Sequence, residues 1–261
     1  MWNPYLQLAG NTRKLLGIGA VALVLLIWAA LSGSGFISPN KLPAPWKVGS
    51  AFALLAWNGE ESLLLTATLW SLSRVVVAGG IVMLVGIPIG VLMGAAPKVN
   101  AALSPLIDPF RSAPIVAINP ILVMWLGIDE TSKIAFLVLG AVVFLIPMVR
   151  DAVLAVPRTY WIGARDLGAT PWEAVRHAVL PIAMPRIADA IIVSISVMWT
   201  YITVAEYINA EKGLGQLIQN SKRFSAMDQV FVGIAVIIAL ALVTYQAMTW
   251  LKKSLFPWEV E

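Results

Sequence analysis

The sequence predicts an all-α integral membrane protein of six transmembrane helices, and three observations carry that prediction. Hydrophobic residues make up 59% of the 261-residue chain and charged residues 12%, whereas a soluble domain is about half apolar and about a quarter charged. Long apolar runs approach the ~20 residues that a helix needs to cross the hydrocarbon. Short segments rich in Gly, Pro and charge stand between those runs, as loop chemistry requires.

Residues 1–14 form a short polar start that ends in Arg13-Lys14. The first span is read at 15–31; it lacks a clear small-residue cleavage site and is expected to be retained. A Gly/Ser/Pro-rich loop follows. Residues 47–61 are read as a short interfacial helix ending at Glu60-Glu61, with Trp46 and Trp57 as membrane-interface anchors. The second span is read at 70–95. Within it Gly86, Gly90 and Gly94 recur every four residues, so they line one face and permit close helix packing, and Pro88 is a candidate kink. Residues 97–112 read as a Pro-broken loop. The third span is placed at 113–128, the fourth at 134–149, the fifth at 187–207 and the sixth at 230–251, with a polar segment at 208–229 and a tail at 254–261.

Six spans put both termini on one side of the membrane, and the positive-inside rule chooses the side. With the N-terminus cytoplasmic, that side holds eleven cations: Arg13, Lys14, Lys98, Arg111, Arg150, Arg158, Arg165, Arg176, Arg186, Lys252 and Lys253. The opposite side holds seven: Lys41, Lys47, Arg74, Lys133, Lys212, Lys222 and Arg223. The expected topology therefore has both termini in the cytoplasm.

The longest charged interruption is the stretch from Pro157 to Pro185. Pro157 suits a first helical turn. Gly168 suits a left-handed helix end. Thr170, Pro171 and Glu173 have capping-box spacing. The second helix is expected to stop near Leu180, because Pro181 disfavours helical geometry in the residue before it. Tyr160, Trp161, Ala164 and Leu167 would share one helix face, and Trp172, Val175 and Val179 another. By this pattern alone the stretch is either a docking element or an ordinary helical hairpin between two spans.

The chain holds no cysteine and one histidine, His177, which removes disulfides, iron–sulfur clusters and thiol chemistry and argues against zinc or haem ligation. It lacks the Gly-x4-Gly-Lys-Ser/Thr phosphate loop. Clustered carboxylates are also missing, so an enzyme has little to stand on. Ser196, Thr200, Thr203 and Tyr207 fall at i, i+4, i+7 and i+11 of the fifth span, one helical face. They could line a path for a polar solute, or bond back to the helix and join helices. Glu206, at the outer end of that span, is a path candidate or a solvated interfacial carboxylate. Arg74 is read as snorkelling to the headgroups, with attraction of an anion as the alternative. Asn119 beside Pro120 either bonds a carbonyl freed by the proline or faces the path.

Ala164, Gly168 and Leu180-Pro181 resemble the EAA loop of ABC importer permeases: EAA, three residues, G, nine residues, I, one residue, LP. Ile162, Gly163 and Ala178 stand where the motif has Glu, Ala and Ile. Ala164-Arg165-Asp166-Leu167-Gly168-Ala169, and Ala205-Glu206 followed by Gly213-Leu214-Gly215, resemble the nitrate/sulfonate/taurine/bicarbonate branch. The resemblance implies a type I importer permease in a bacterial inner membrane. It implies a cytoplasmic coupling helix formed by Ala164, Arg165, Asp166, Gly168, Ala169, Trp172, Leu180 and Pro181. It further implies a second permease copy, two ATPase subunits that hold ATP and Mg, and a substrate-binding protein on the outer face. This chain would bind no cofactor and catalyse no bond-making step. A permease for a pyrimidine vitamin precursor, from the same branch, and a stand-alone secondary transporter or channel remain alternatives.

Overall fold

The computed structural model describes residues 10–57, 62–208 and 210–259, and all regular structure among them is helical. The α-helices are α1 (Gly10–Gly33), α2 (Pro45–Ala56), α3 (Leu63–Ala95), α4 (Pro97–Ile107), α5 (Asn119–Leu126) and α6 (Glu130–Leu154). They continue as α7 (Arg158–Asp166), α8 (Pro171–Ala174), α9 (Leu180–Tyr207), α10 (Leu214–Arg223) and α11 (Met227–Leu255). Among the described residues, five helical segments are long and apolar enough to cross a membrane, and six if one bent pair counts as a span.

The chain divides into two compact units. The smaller takes the chain up to Leu63 together with Ile218–Gly233. In it, Trp28 Nε1 donates to Pro43 O at 3.0 Å, and the Trp28 ring stacks on Phe231 at 5.7 Å. Trp46, in the first turn of α2, and Trp57, just after its end, are both exposed; the expected end of that helix at Glu60-Glu61 lies outside the described residues.

The larger unit, Leu64–Leu217 with Ile234–Glu261, is built around α6 and α9. Val75, Val82, Phe136, Leu145, Met198 and Trp199 belong to its buried core. The glycine ladder of α3 seats α6. A Cβ on Gly86 would stand 2.8 Å from Leu145 Cδ2, one on Gly90 2.7 Å from Ile146 O, and one on Gly94 2.6 Å from Val153 Cβ. Small residues at this spacing let two backbones approach where lipid supplies no hydrophobic driving force. A Cβ on Gly140 would likewise meet the Tyr201 ring at 2.7 Å, so α6 and α9 are in close contact too.

The structure corrects four sequence readings. Spans one, two, four and six are longer than read, at 10–33, 63–95, 130–154 and 227–255: polar residues at the ends of the first, fourth and sixth remain helical, and the second begins earlier in the largely apolar run Leu63–Leu69. Residues 97–112 are not a loop but α4 and a 3-10 turn at Asp108–Arg111; Pro97 and Pro109 sit in first turns, where a missing N–H costs nothing. The third span is not one straight helix. Its α-helical part, α5, has eight residues and is only ~12 Å long. The segments 97–111 and 115–126 meet at 94°, with Pro114 at the break. Last, the helix entering the fifth span does not stop at Leu180. A π turn at Val175–Val179 joins α8 directly to α9. The wider turn absorbs the missing N–H of Pro181 and relieves the clash of its ring with the preceding turn.

Candidate functional site

Three features could carry function: the 157–185 stretch, a cavity beside the C-terminal end of α9, and a buried ion cluster at that same end, away from the hairpin.

In the 157–185 stretch α7 starts at Arg158, with Pro157 just before it, and runs to Asp166. Gly168 sits at φ 92°, a conformation that a side chain disfavours. Gly168 N donates to Arg165 O at 3.0 Å and Ala169 N to Ala164 O at 3.1 Å, which closes the helix end. The Arg165 guanidinium also donates to Ala169 O and lies 5.9 Å from the Trp161 ring centre. The capping box is present: Thr170 N donates to Glu173 Oε2 at 2.7 Å, and Glu173 N to Thr170 Oγ1 at 3.3 Å. Trp161 packs against the core, and Ala174, Val175 and Val179 are buried. Tyr160, Ile162, Leu167 and Trp172 are instead exposed, Leu167 at 91%. The two expected helix faces are therefore split. Trp161 turns inward while Tyr160 and Leu167 face out, and Val175 and Val179 are buried while Trp172 is exposed. The result is a rigidly anchored hairpin that presents apolar side chains, the kind of surface that marks an interaction site.

The hydroxyl stripe bonds back to its own helix. Ser196 Oγ donates to Ile192 O at 2.8 Å, while Thr200 and Thr203 make longer bonds of 3.5 Å to Ser196 O and Thr200 O. A cavity of about 440 Å³ brings Asn119, Thr203 and Tyr207 together with Val116, Pro120, Val204 and Ile208. Ser196 and Thr200 do not line it. Asn119 is buried, and its Nδ2 donates to Val204 O at 3.5 Å. Its partner is thus a carbonyl of α9, not one freed by Pro120.

The ion cluster was not foreseen. Arg74 is 2% exposed and Glu206 fully buried, so neither the snorkelling arginine nor the solvated carboxylate is found. Arg74 Nη1 meets Glu206 Oε1 at 2.6 Å, and Arg74 Nε and Nη2 grip both oxygens of Glu130 at 2.6 and 2.7 Å. Lys133 adds a bond to Glu130 at 2.8 Å. Glu206 also accepts from Ser71 Oγ at 2.8 Å and from Gly215 N at 2.8 Å, while Arg74 Nη1 donates to Lys212 O. Gly213-Leu214-Gly215 wraps this carboxylate. Gly213 has φ 139°, and a Cβ there would stand 2.5 Å from Glu206 Cδ. Leu214 N donates to Ser71 Oγ at 2.9 Å. The cluster ties α3, α6, α9 and the segment before α10 at one end of the unit. Glu206 is spent on this lock and does not reach the cavity beside Asn119. At the other end of α6, Arg150 grips Asp108 at 2.9 Å and Ser104 at 3.0 Å, which fastens the bent α4 segment.

A bundle of apolar helices with a broken segment and an anchored apolar hairpin between two spans is the frame of a membrane transport subunit with a surface for a partner. The chain belongs to the permeases of ABC importers: residues 86–257 match the family described as the binding-protein-dependent transport system inner membrane component. It is 34% identical over 254 residues to the taurine transport system permease protein TauC of Escherichia coli (strain K12), covering 94% of this chain and 90% of that one. It is 28% identical over 244 residues to SsuC of Bacillus subtilis (strain 168), named for aliphatic sulfonates transport, with 93% and 87% covered. Among solved structures it is similar to a chain of the inward-facing MetNI methionine ABC transporter, with TM-score 0.66, 25% identity, and 74% and 95% covered. The protein is thus a multi-pass inner-membrane permease whose ATPase is a separate subunit. That membership removes the stand-alone carrier and the enzyme.

Proposed function

We propose that this chain is the permease of an importer for a small organic sulfonate such as taurine, a narrower class than the nitrate, sulfonate or bicarbonate group read from the sequence. The near full-length similarity to a taurine permease carries this reading. A binding screen on the cognate binding protein tests it, because such importers select solute mainly there. Taurine or a short alkanesulfonate should bind, and nitrate and bicarbonate should not; tight binding of either inorganic anion alone would refute the sulfonate reading.

In this proposal two permease copies enclose the path and a binding protein delivers solute from outside. Two ATPase subunits hold ATP and Mg and dock on the exposed face of the 157–185 hairpin. The docking residues are Ala164, Arg165, Asp166, Gly168, Ala169 and Trp172, with Leu180-Pro181 anchoring the hairpin to α9. Leu167, wholly exposed, joins them. Closure of the ATPases pulls the hairpins together. The continuous helix from Pro171 to Tyr207 carries that motion through the membrane as one lever. The Ile162 position leaves the hairpin one polar contact short of the motif.

In this proposal both termini and the hairpin lie in the cytoplasm, a topology that the eleven-to-seven cation bias supports. A reporter fused after Lys253 should therefore read cytoplasm, and one inserted at 34–45 should read outside. The reversed pair of readings would overturn the topology.

The path is proposed to run along Asn119, Ser196, Thr200, Thr203 and Tyr207. Cysteines at Thr200, Thr203 and Tyr207 should react with a small aqueous thiol reagent and change rate with nucleotide, whereas a cysteine at the fully buried Ile202 should stay silent. Silence at all four positions would reduce the stripe to helix packing.

A further inference from the structure

The cleft between α9 and the end of α11 continues the Ser196 face of α9 toward the hairpin, and none of the residues proposed for the path lines it. It encloses about 420 Å³. Its walls are mostly apolar, from Ile192, Val193, Tyr245 and Phe256, with the buried Thr249 hydroxyl among them, and its rim is charged, from Asp189, Lys252, Lys253 and Glu259. The rim has a specific construction. Lys252 Nζ lies between Asp189 Oδ2 at 2.7 Å and Glu259 Oε2 at 2.8 Å. One cation shared by two carboxylates leaves a local excess of one negative charge. Lys253, exposed and adjacent, supplies a positive charge beside it. The cleft also sits at a membrane boundary. α11 exposes Leu242 and Val243 on the apolar side and Trp250 toward its end, and Trp258 is exposed in the turn Pro257–Glu259 that follows; tryptophans of this kind mark the headgroup level.

We propose that this cleft binds one phospholipid whose headgroup carries a primary ammonium as well as a phosphate, that is, a phosphatidylethanolamine. An acyl chain lies along Ile192, Val193 and Phe256. The ammonium donates to the spare carboxylate oxygens of Asp189 and Glu259, and the phosphate accepts from Lys253. The two-sign rim selects the headgroup. A purely anionic headgroup meets two carboxylates around a lysine that is already paired. A choline has no N–H to donate. Exposed ion pairs are individually weak, so the selection is modest and rests on the pattern. The lipid ties the tail at Pro257–Glu259 to α9, close to where that helix leaves the hairpin. The proposal rests on the family reading only in placing α9 and α11 in a bilayer; it is independent of the imported solute.

The test titrates the purified full chain in detergent with an equimolar mixture of phosphatidylethanolamine, phosphatidylglycerol and phosphatidylcholine, and counts bound lipids by native mass spectrometry. Phosphatidylethanolamine adducts should exceed each of the others by about threefold, the ratio a weak exposed pair supplies. Asp189→Asn with Glu259→Gln leaves Lys252 bare, and the preference should invert toward phosphatidylglycerol; a gain of that kind does not arise from misfolding. Lys253→Gln, at an exposed position, should lower phosphatidylethanolamine adducts without raising phosphatidylglycerol. Equal retention of the three lipids by the unaltered protein, or an unchanged preference in the double variant, would overturn the site.

Discussion

Arg74→Met should cost most of the protein's stability. The guanidinium is buried and holds two carboxylates at 2.6 Å. Removing it leaves Glu206, itself fully buried, without its cationic partner. Deleting one partner of a buried pair costs about 3–5 kcal/mol, a large share of the roughly 5–15 kcal/mol that holds a typical native state. The melting temperature in detergent should fall sharply, and much of the protein should be lost as aggregate on size exclusion. Glu206→Gln added to Arg74→Met should recover part of the loss, because the orphaned charge is then gone and the amide still accepts from Ser71 and Gly215. A melting temperature unchanged in Arg74→Met would mean that the cluster is solvated and bears no load.

This cluster shows where sequence reading runs out. Each charged member was visible: Arg74 and Glu206 stood near the same outer ends of two apolar runs, and Gly213-Leu214-Gly215 followed seven residues after the second. Opposite charges at one membrane depth are a signal for pairing, but their separation of 132 residues in sequence hides the contact, and a span end is also where single charges reach solvent. The glycine ladder was legible for the opposite reason. Its four-residue spacing is a local helical pattern, and Gly86, Gly90 and Gly94 meet α6 as that pattern requires. The turn at Gly168 and the capping box at Thr170 were legible for the same local reason. The break in the third span and the continuation past Pro181 were not. A proline states that one hydrogen bond is missing; it does not state whether the chain bends by 94° or widens into a π turn. Surrounding packing decides that, and packing is non-local.

The central claim is that the 157–185 hairpin receives the work of a partner ATPase. Gly168→Asp tests it most directly. Gly168 has open space where a Cβ would go, so the substitution meets no neighbour and acts through two effects: strain at φ 92° and a carboxylate set beside Leu167 in a docking face that must lose water. Gly168→Asn carries a comparable strain without the charge and separates the two. Insertion of the spans should survive both changes, because Gly168 is exposed and nothing stands within 4 Å of where its Cβ would be. The measurement is capture of the ATPase subunits on the purified permease, alongside ATP-driven uptake, in vesicles, of the solute that the cognate binding protein holds. The account predicts normal permease levels with Gly168→Asp, capture and uptake reduced at least about tenfold, as ~1.4 kcal/mol of lost docking energy would give, and a smaller loss with Gly168→Asn. Wild-type capture and uptake with Gly168→Asp would contradict the claim and leave the hairpin as a mere connection between spans.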